Sequence, residues 1–206
     1  MTHHRFLGIA VLGFLLSQSA ISQGVSLSIV GGISKDSRTQ TENMWKSGLN
    51  IAAQGFLLLP GFAVGGRVAY HHWGTDGEGW LKELDPNTTH TLEDASGSQS
   101  VIELVPSIRV AILNPPVGLR VDAQVGAGLF LVSYSGVSVT GSFRSTNVSG
   151  RTTISTSDNS RTGFGIQLGV PFSIGLFEII PIYSAYNADG DWYNHFALNA
   201  GIRFGI

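Results

Sequence analysis

The segment His195-Phe196-Ala197-Leu198-Asn199-Ala200-Gly201-Ile202-Arg203-Phe204-Gly205-Ile206 alternates without interruption. Phe196, Leu198, Ala200, Ile202, Phe204 and Ile206 fall on one side; His195, Asn199 and Arg203 fall on the other. A period of two belongs to a strand, because successive Cβ atoms of an extended backbone point to opposite faces, whereas a helical stripe recurs every 3.6 residues. A strand that carries large apolar side chains to its very tip needs an apolar medium along one whole face.

The same alternation recurs upstream. Eight segments separate at turn signals, near 24–34, 45–57, 62–73, 101–113, 117–134, 162–174, 176–187 and 192–206, and none carries a convincing helical stripe. Their connections alternate in length: long from Lys35 to Met44, from Gly74 to Ser100 and from Ser135 to Arg161, short at Leu58-Leu59-Pro60-Gly61, Asn114-Pro115-Pro116 and Gly175. An even number of strands, with tight turns at one end and longer loops at the other, is the pattern of a membrane barrel.

Composition points the same way. Charged residues make up 13% of the chain, about half of what soluble domains carry, and glycine accounts for 27 of 206 residues. A net charge of −2 supplies no basic stripe, so nucleic acid is excluded as a partner. With no cysteine, disulfides, thiolate metal sites and cysteine nucleophiles are excluded as well. Residues 1–22 read as a secretory signal: Arg5 precedes the apolar run Phe6 to Leu16, and the small residues Ala20 and Ser22 place cleavage after Ser22. Residues 23–206 then form one barrel domain. They contain no apolar run long enough for a membrane helix, so a membrane would be crossed by strands.

Alternation alone does not say which face is outside, since a soluble ligand-binding barrel alternates too. One face of the fifth segment reads Val117, Leu119, Val121, Ala123, Val125, Ala127, Leu129, Leu131, and one face of the sixth reads Phe164, Ile166, Leu168, Val170, Phe172, Ile174, without a charge. The opposite faces mix Arg120, Asp122, Gln124 and Gln167 with Gly126, Gly128, Gly163, Gly165 and Gly169. Glycine weakens a solvated strand, but in a crowded lumen it is expected to make room for neighbouring arginines. The polar face is therefore placed inside. Aromatic girdles are expected at Trp45, Tyr70, Tyr134, Tyr183 and Trp192 on one rim and at Phe56, Phe62, Phe172, Phe177 and Phe204 on the other, although parity turns Phe56 inward.

Parity sends Arg67, Arg109, Arg120, Asp122, Glu178 and Arg203 into the lumen near the end that holds the tight turns, with Asn50, Gln124, Gln167 and Asn199 as an amide layer above them. An eight-stranded barrel is only wide enough for its own side chains, so buried charges must pair there. Arg109 is expected opposite Arg120 or Asp122, and Glu178 opposite Arg203, while Lys46 and Glu103 lie nearer the outer mouth. The cluster is expected to act as a structural plug rather than as an ion path or catalytic centre.

Other motifs carry less. Gly74 to Asp85 echoes a calcium loop through Asp76, Glu78 and Asp85, but its first ligand position is Gly74, so the stretch is expected to be a solvated acidic loop and no metal is assigned. His195 to Gly201 faintly resembles a lipid A deacylase motif, with Ala197 where the serine is needed, so no catalytic residue, enzymatic activity or cofactor is expected. His71 and His72 are adjacent and must point to opposite faces, which argues against joint metal binding. Residues 136–161, rich in Ser, Thr and Gly, are expected to be a solvated loop, with a hairpin prolonging the barrel strands as the alternative. Pro106, Pro171 and Pro181 each remove a ladder donor and mark bulges or a lateral opening.

From its architecture and final strand, the chain over residues 24–206 resembles the small eight-stranded bacterial outer-membrane β-barrels of the OmpA/OmpX-like class. That class ends on an aromatic residue where this chain has Ile206, with Phe204 two places earlier. The resemblance implies an antiparallel transmembrane barrel in the outer membrane of a Gram-negative bacterium, with both termini periplasmic. It further implies a non-enzymatic role in envelope integrity or surface interaction, with outer-membrane lipid around it and barrel-assembly machinery reading the C-terminal strand. An extracellular partner would meet the loops. The alternative is a conduit for small hydrophobic molecules, open through the barrel wall.

Overall fold

The computed structural model describes residues 24–36, 44–84, 89–114, 118–144 and 149–205; the predicted signal segment and its cleavage site lie outside them. The strands are β1 (Gly24–Asp36), β2 (Gly48–Leu59), β3 (Phe62–Gly74), β4 (Thr89–Leu113), β5 (Leu119–Arg144), β6 (Ser149–Ser155), β7 (Asn159–Gly169), β8 (Phe172–Ile174), β9 (Phe177–Ala188) and β10 (Asp191–Gly205). One helix, α1 (Gly77–Leu84), stands between β3 and β4. β7 and β8 are a single barrel strand interrupted at Val170-Pro171, and β6 lies off the ring, so the ten segments close as eight antiparallel strands. β10 pairs with β1, Ile202 opposite Ile29 and Asn199 opposite Gly32, and the closure leaves no free edge around the ring.

The alternation seen in the sequence becomes an inside and an outside. Val25, Leu27, Ile29 and Ile33 of β1, Leu49 and Ile51 of β2, Val125, Leu129 and Leu131 of β5, and Phe164, Ile166 and Leu168 of β7 all face outward and are exposed. Arg67, Glu103, Arg109, Asp122, Gln124, Gln167 and Glu178 face inward and are buried. A soluble barrel would expose the second set and bury the first. Burying charges while exposing a continuous aliphatic belt is stable only where the surroundings are hydrocarbon.

The inward glycines owe their place to a nearer neighbour than the arginines expected from the sequence. A Cβ on Gly128 would lie 2.1 Å from the carbonyl oxygen of Leu104 on β4, and one on Gly65 would lie 1.8 Å from that of Gly55 on β2. At Gly128 and Gly65 the neighbouring backbone comes too close for a Cβ, which is a constraint of strand geometry and not of side-chain space.

Register departs from simple hairpin counting. Arg109 lies opposite Gln124, and Glu178 lies opposite Gly201, not opposite Arg203. The β4–β5 connection is longer than the tight turn assumed from the sequence, and an irregularity between Ala111 and Leu113 shifts the pairing further. A second irregularity, between Ser96 and Ser98 near Gly97 (φ 109°), adds a residue to β5: Ser98 faces Ser135 but Ser96 faces Ser138. One added residue reverses the faces. Beyond it Val137 and Val139 point inward, whereas Phe130 and Val132 do so below it.

Residues 136–161 are largely strand, so the expectation of a solvated loop is corrected. Past the barrel, the upper part of β5 pairs with β4 (Thr89 opposite Arg144) and with β6 (Arg144 opposite Ser149), making a three-stranded sheet that projects from the loop end. Alternating Thr, Val and Ser sustain the ladder, since β-branched side chains suit a pleated surface.

Candidate functional site

Three groups of polar side chains fill the lumen. Nearest the end that holds the tight turns, Arg120 Nε bonds Asp122 Oδ1 at 2.8 Å, and Arg203 donates to Ser26 Oγ at 2.8 Å and Ser173 Oγ at 3.3 Å. Next, Arg109 Nη1 meets Glu178 Oε1 at 2.7 Å while its Nε donates to Gln124 Oε1 at 2.8 Å. Gln54 donates to the second oxygen of Glu178 at 3.2 Å, and the Arg109 guanidinium lies 4.2 Å from the centroid of the inward ring of Phe56. Toward the loop end, Glu103 forms a hub. It pairs with Arg67 and accepts from Gln167 Nε2 at 2.8 Å and Ser184 Oγ at 2.9 Å, with His195 Nε2 at 2.8 Å and His71 Nε2 at 3.5 Å.

The strand pleat explains which side chains arrive. β3 turns Arg67 and His71 inward, β4 turns Glu103 and Arg109, and β10 turns His195, Asn199 and Arg203, each at a spacing of two or a multiple of two. The six charged residues selected from the sequence all lie on the inner wall, but not as one cluster: Arg67 leaves the others for Glu103, expected nearer the mouth as a bystander. The amide layer is corrected too. Gln124 and Gln167 are built into the charge groups, Asn199 Nδ2 donates to the carbonyl of Ile180 at 3.2 Å, and the side-chain amide of Asn50 meets no hydrogen-bonding group among the described residues. A guanidinium reaches several ångströms along the axis, so residue height on the ladder does not determine its partner.

His71 and His195 were not selected as site residues. The pleat turns both inward, and the closed ring brings β3 and β10 to one lumen, where the two imidazole rings stand 4.5 Å apart. Above them the lumen turns aromatic. Phe130 stacks on Tyr186 at 4.5 Å, Tyr186 on Tyr193 at 5.4 Å, and Trp73 on His71 at 5.4 Å.

The predicted acidic loop is corrected in the same region. Asp76 caps α1, its Oδ1 accepting from Gly79 N at 3.3 Å. Asp85, the remaining acid of that candidate site besides Glu78, lies outside the described residues. Leu81 of α1 is buried with Trp45, Trp73, Val137 and Val139, and Trp80 packs edge-on to Trp45 at 6.3 Å. Trp45 and Tyr134, placed in a girdle from the sequence, instead pack together at 6.1 Å over the loop end. Tyr70, Tyr183, Trp192, Phe62, Phe172, Phe177 and Phe204 are exposed on the outer wall.

Of the prolines, Pro106 sits where the β4–β5 pairing skips from Leu104 to Ser107, beside a lipid-facing groove of about 550 Å³ lined by Gly66, Val68, Leu104, Ala127 and Leu129. Pro171 interrupts the strand between β7 and β8, its carbonyl accepting from Asp122 N at 2.9 Å.

An inverted-polarity ring of eight antiparallel strands defines the class: a small transmembrane β-barrel. No protein family and no curated protein matches the sequence. Among solved structures, it is similar to Ail, the attachment invasion locus protein of Yersinia pestis, with 15% identity over 89% of this chain and 100% of that one and a TM-score of 0.49. It is also similar to Neisserial surface protein A (12% identity, 88% and 98% covered, TM-score 0.44) and to the N-terminal β-barrel domain of Pseudomonas aeruginosa OprF (12%, 89% and 98%, TM-score 0.40).

Proposed function

We propose that the chain is an integral barrel of a bacterial outer membrane, with periplasmic termini, that acts without catalysis as a surface-contact protein. One observation supports this reading: Arg67–Glu103, Arg109–Glu178 and Arg120–Asp122 pair inside the ring, while the β4–β5–β6 sheet stands clear of the aliphatic belt and β6 pairs with β5 alone among the described residues. A lumen so occupied leaves the projecting sheet as the part that can meet something else. An unpaired edge strand offers its backbone donors and acceptors to an extended segment of another molecule.

Trypsin applied to intact cells tests the orientation. Cleavage at the exposed Arg144 and Arg151 of the projecting sheet is expected without permeabilisation. Cleavage there only after the envelope is opened would reverse the topology and remove the surface role.

The ladder gap at Pro106, with its groove of about 550 Å³, gives a second reading, a lateral conduit for small hydrophobic molecules. Behind the gap stand Arg67 and Glu103, which disfavours it. Purified protein in planar bilayers, together with uptake of an apolar dye into proteoliposomes, separates the two: the contact protein passes neither, and dye uptake above empty liposomes supports the conduit.

A further inference from the structure

His71, Glu103 and His195 come from three different strands, β3, β4 and β10, and are all buried with one ligand atom each within 4.8 Å of the others. Glu103 Oε1 stands 2.8 Å from His195 Nε2 and 3.5 Å from His71 Nε2. Ligands held at zinc-like bond lengths in a tetrahedron are separated by roughly 3.3 Å, so the two contacts bracket the required spacing. We propose that this triad binds one divalent transition-metal cation inside the barrel, with His71 Nε2, His195 Nε2 and Glu103 Oε1 as ligands.

The surroundings favour a metal over a purely hydrogen-bonded cluster. Neither ring nitrogen of His71 has a hydrogen-bond partner among the described residues, although the side chain is fully buried and aimed at the carboxylate. A buried imidazole left in that state is costly, and a cation at Nε2 would give that nitrogen a partner. The second oxygen of Glu103 is held by Arg67 and by Gln167 Nε2 at 2.8 Å, which fixes the carboxylate plane as outer-shell partners do in metal sites. Trp73, stacked on His71 with 10° between the planes and edge-on to His195, fixes the imidazole planes.

The chemistry of the donors selects the ion. Arg67 already offsets the single carboxylate, so a hard cation such as magnesium or calcium gains little from the hub, which offers mainly imidazole nitrogen. Zinc, copper, nickel and cobalt bond well to imidazole. Two imidazoles and one carboxylate supply three of the four ligands that such an ion takes.

The test uses the full chain with His3→Ala and His4→Ala, which removes the N-terminal imidazoles, folded in detergent with zinc or magnesium and stripped of loose metal by a weak chelator. About one zinc per chain and no retained magnesium is expected. The zinc should be lost, or its affinity fall by about tenfold or more, in His71→Gln and in His195→Gln, and persist in His72→Gln, whose ring is exposed on the opposite face. Copper loaded in the same way should show coupling to two nitrogens by electron paramagnetic resonance, a readout that needs no variant to fold. Absence of retained zinc, equal retention of magnesium, undiminished zinc in the His71→Gln/His195→Gln double variant, or copper without nitrogen coupling would each overturn the site.

Discussion

Replacing Glu103 by Gln keeps the shape of the hub and removes its charge. Arg67 then has no anion, since its Nε and Nη2 meet no other hydrogen-bonding group among the described residues. Both side chains are fully buried, so water cannot take over the lost partner. Stripping one member from a buried pair costs about 3–5 kcal/mol, most of it the penalty for the charge left behind. The amide of Gln retains an acceptor for Ser184 and His195, which places this variant near 3 kcal/mol and Glu103→Ala nearer 5. Arg151 and Glu93, 2.8 Å apart but largely exposed on the projecting sheet, form the control: Glu93→Gln should shift stability by less than about 1 kcal/mol. The assay is equilibrium urea unfolding in detergent micelles with chelator present, followed by tryptophan fluorescence and by heat-modifiable gel migration. If the burial penalty dominates, Glu103→Gln combined with Arg67→Met should recover most of the loss. A Glu103→Gln variant within 1 kcal/mol of the parent, or a double variant worse than the single, would refute the reasoning.

Three further outcomes follow from the same geometry. Asp122→Ala should cost less than Glu103→Ala, about 1–3 kcal/mol, because Arg120 is 26% exposed and water screens it once its partner is gone; equal losses in the same urea assay would show that the two ends of the lumen are equally dry. Gly128→Ala, whose added Cβ would press on the Leu104 backbone, should lower the fraction of chain that folds to the heat-modifiable form, whereas Gly74→Ala, with open space around it, should not. Val125→Arg, in the middle of the outward face of β5, should destabilise by about 2–4 kcal/mol, against about 0–1 for Phe177→Arg beside the turn at Gly175; similar values at the two positions would argue against a hydrocarbon belt centred on the barrel.

Inner and outer walls were legible from particular residues. Along β5, Val121, Val125, Leu129 and Leu131 alternate with Asp122, Gln124, Gly126 and Gly128, and the pleat converts that order into two faces whatever the rest of the chain does. The loop end was not legible. α1 spans only eight residues and buries Leu81 as its anchor, too little for a helical stripe to stand out, and the bulge at Gly97 exchanges the faces of β5 so that Val137 and Val139 break the barrel's parity. Trp45 and Tyr134 looked like girdle residues because nothing local distinguishes a ring at a membrane rim from a ring under a cap.

The sequence by itself determined the eight strands of the ring and their inward and outward sides, because period two is a property of each strand alone. Who pairs with whom was decided only by closure. Glu103 meets His71, Arg67 and His195, 32 and 36 residues before it and 92 after it, because the ring's stagger and the long guanidinium bring them to one level, and neither is encoded in any local pattern.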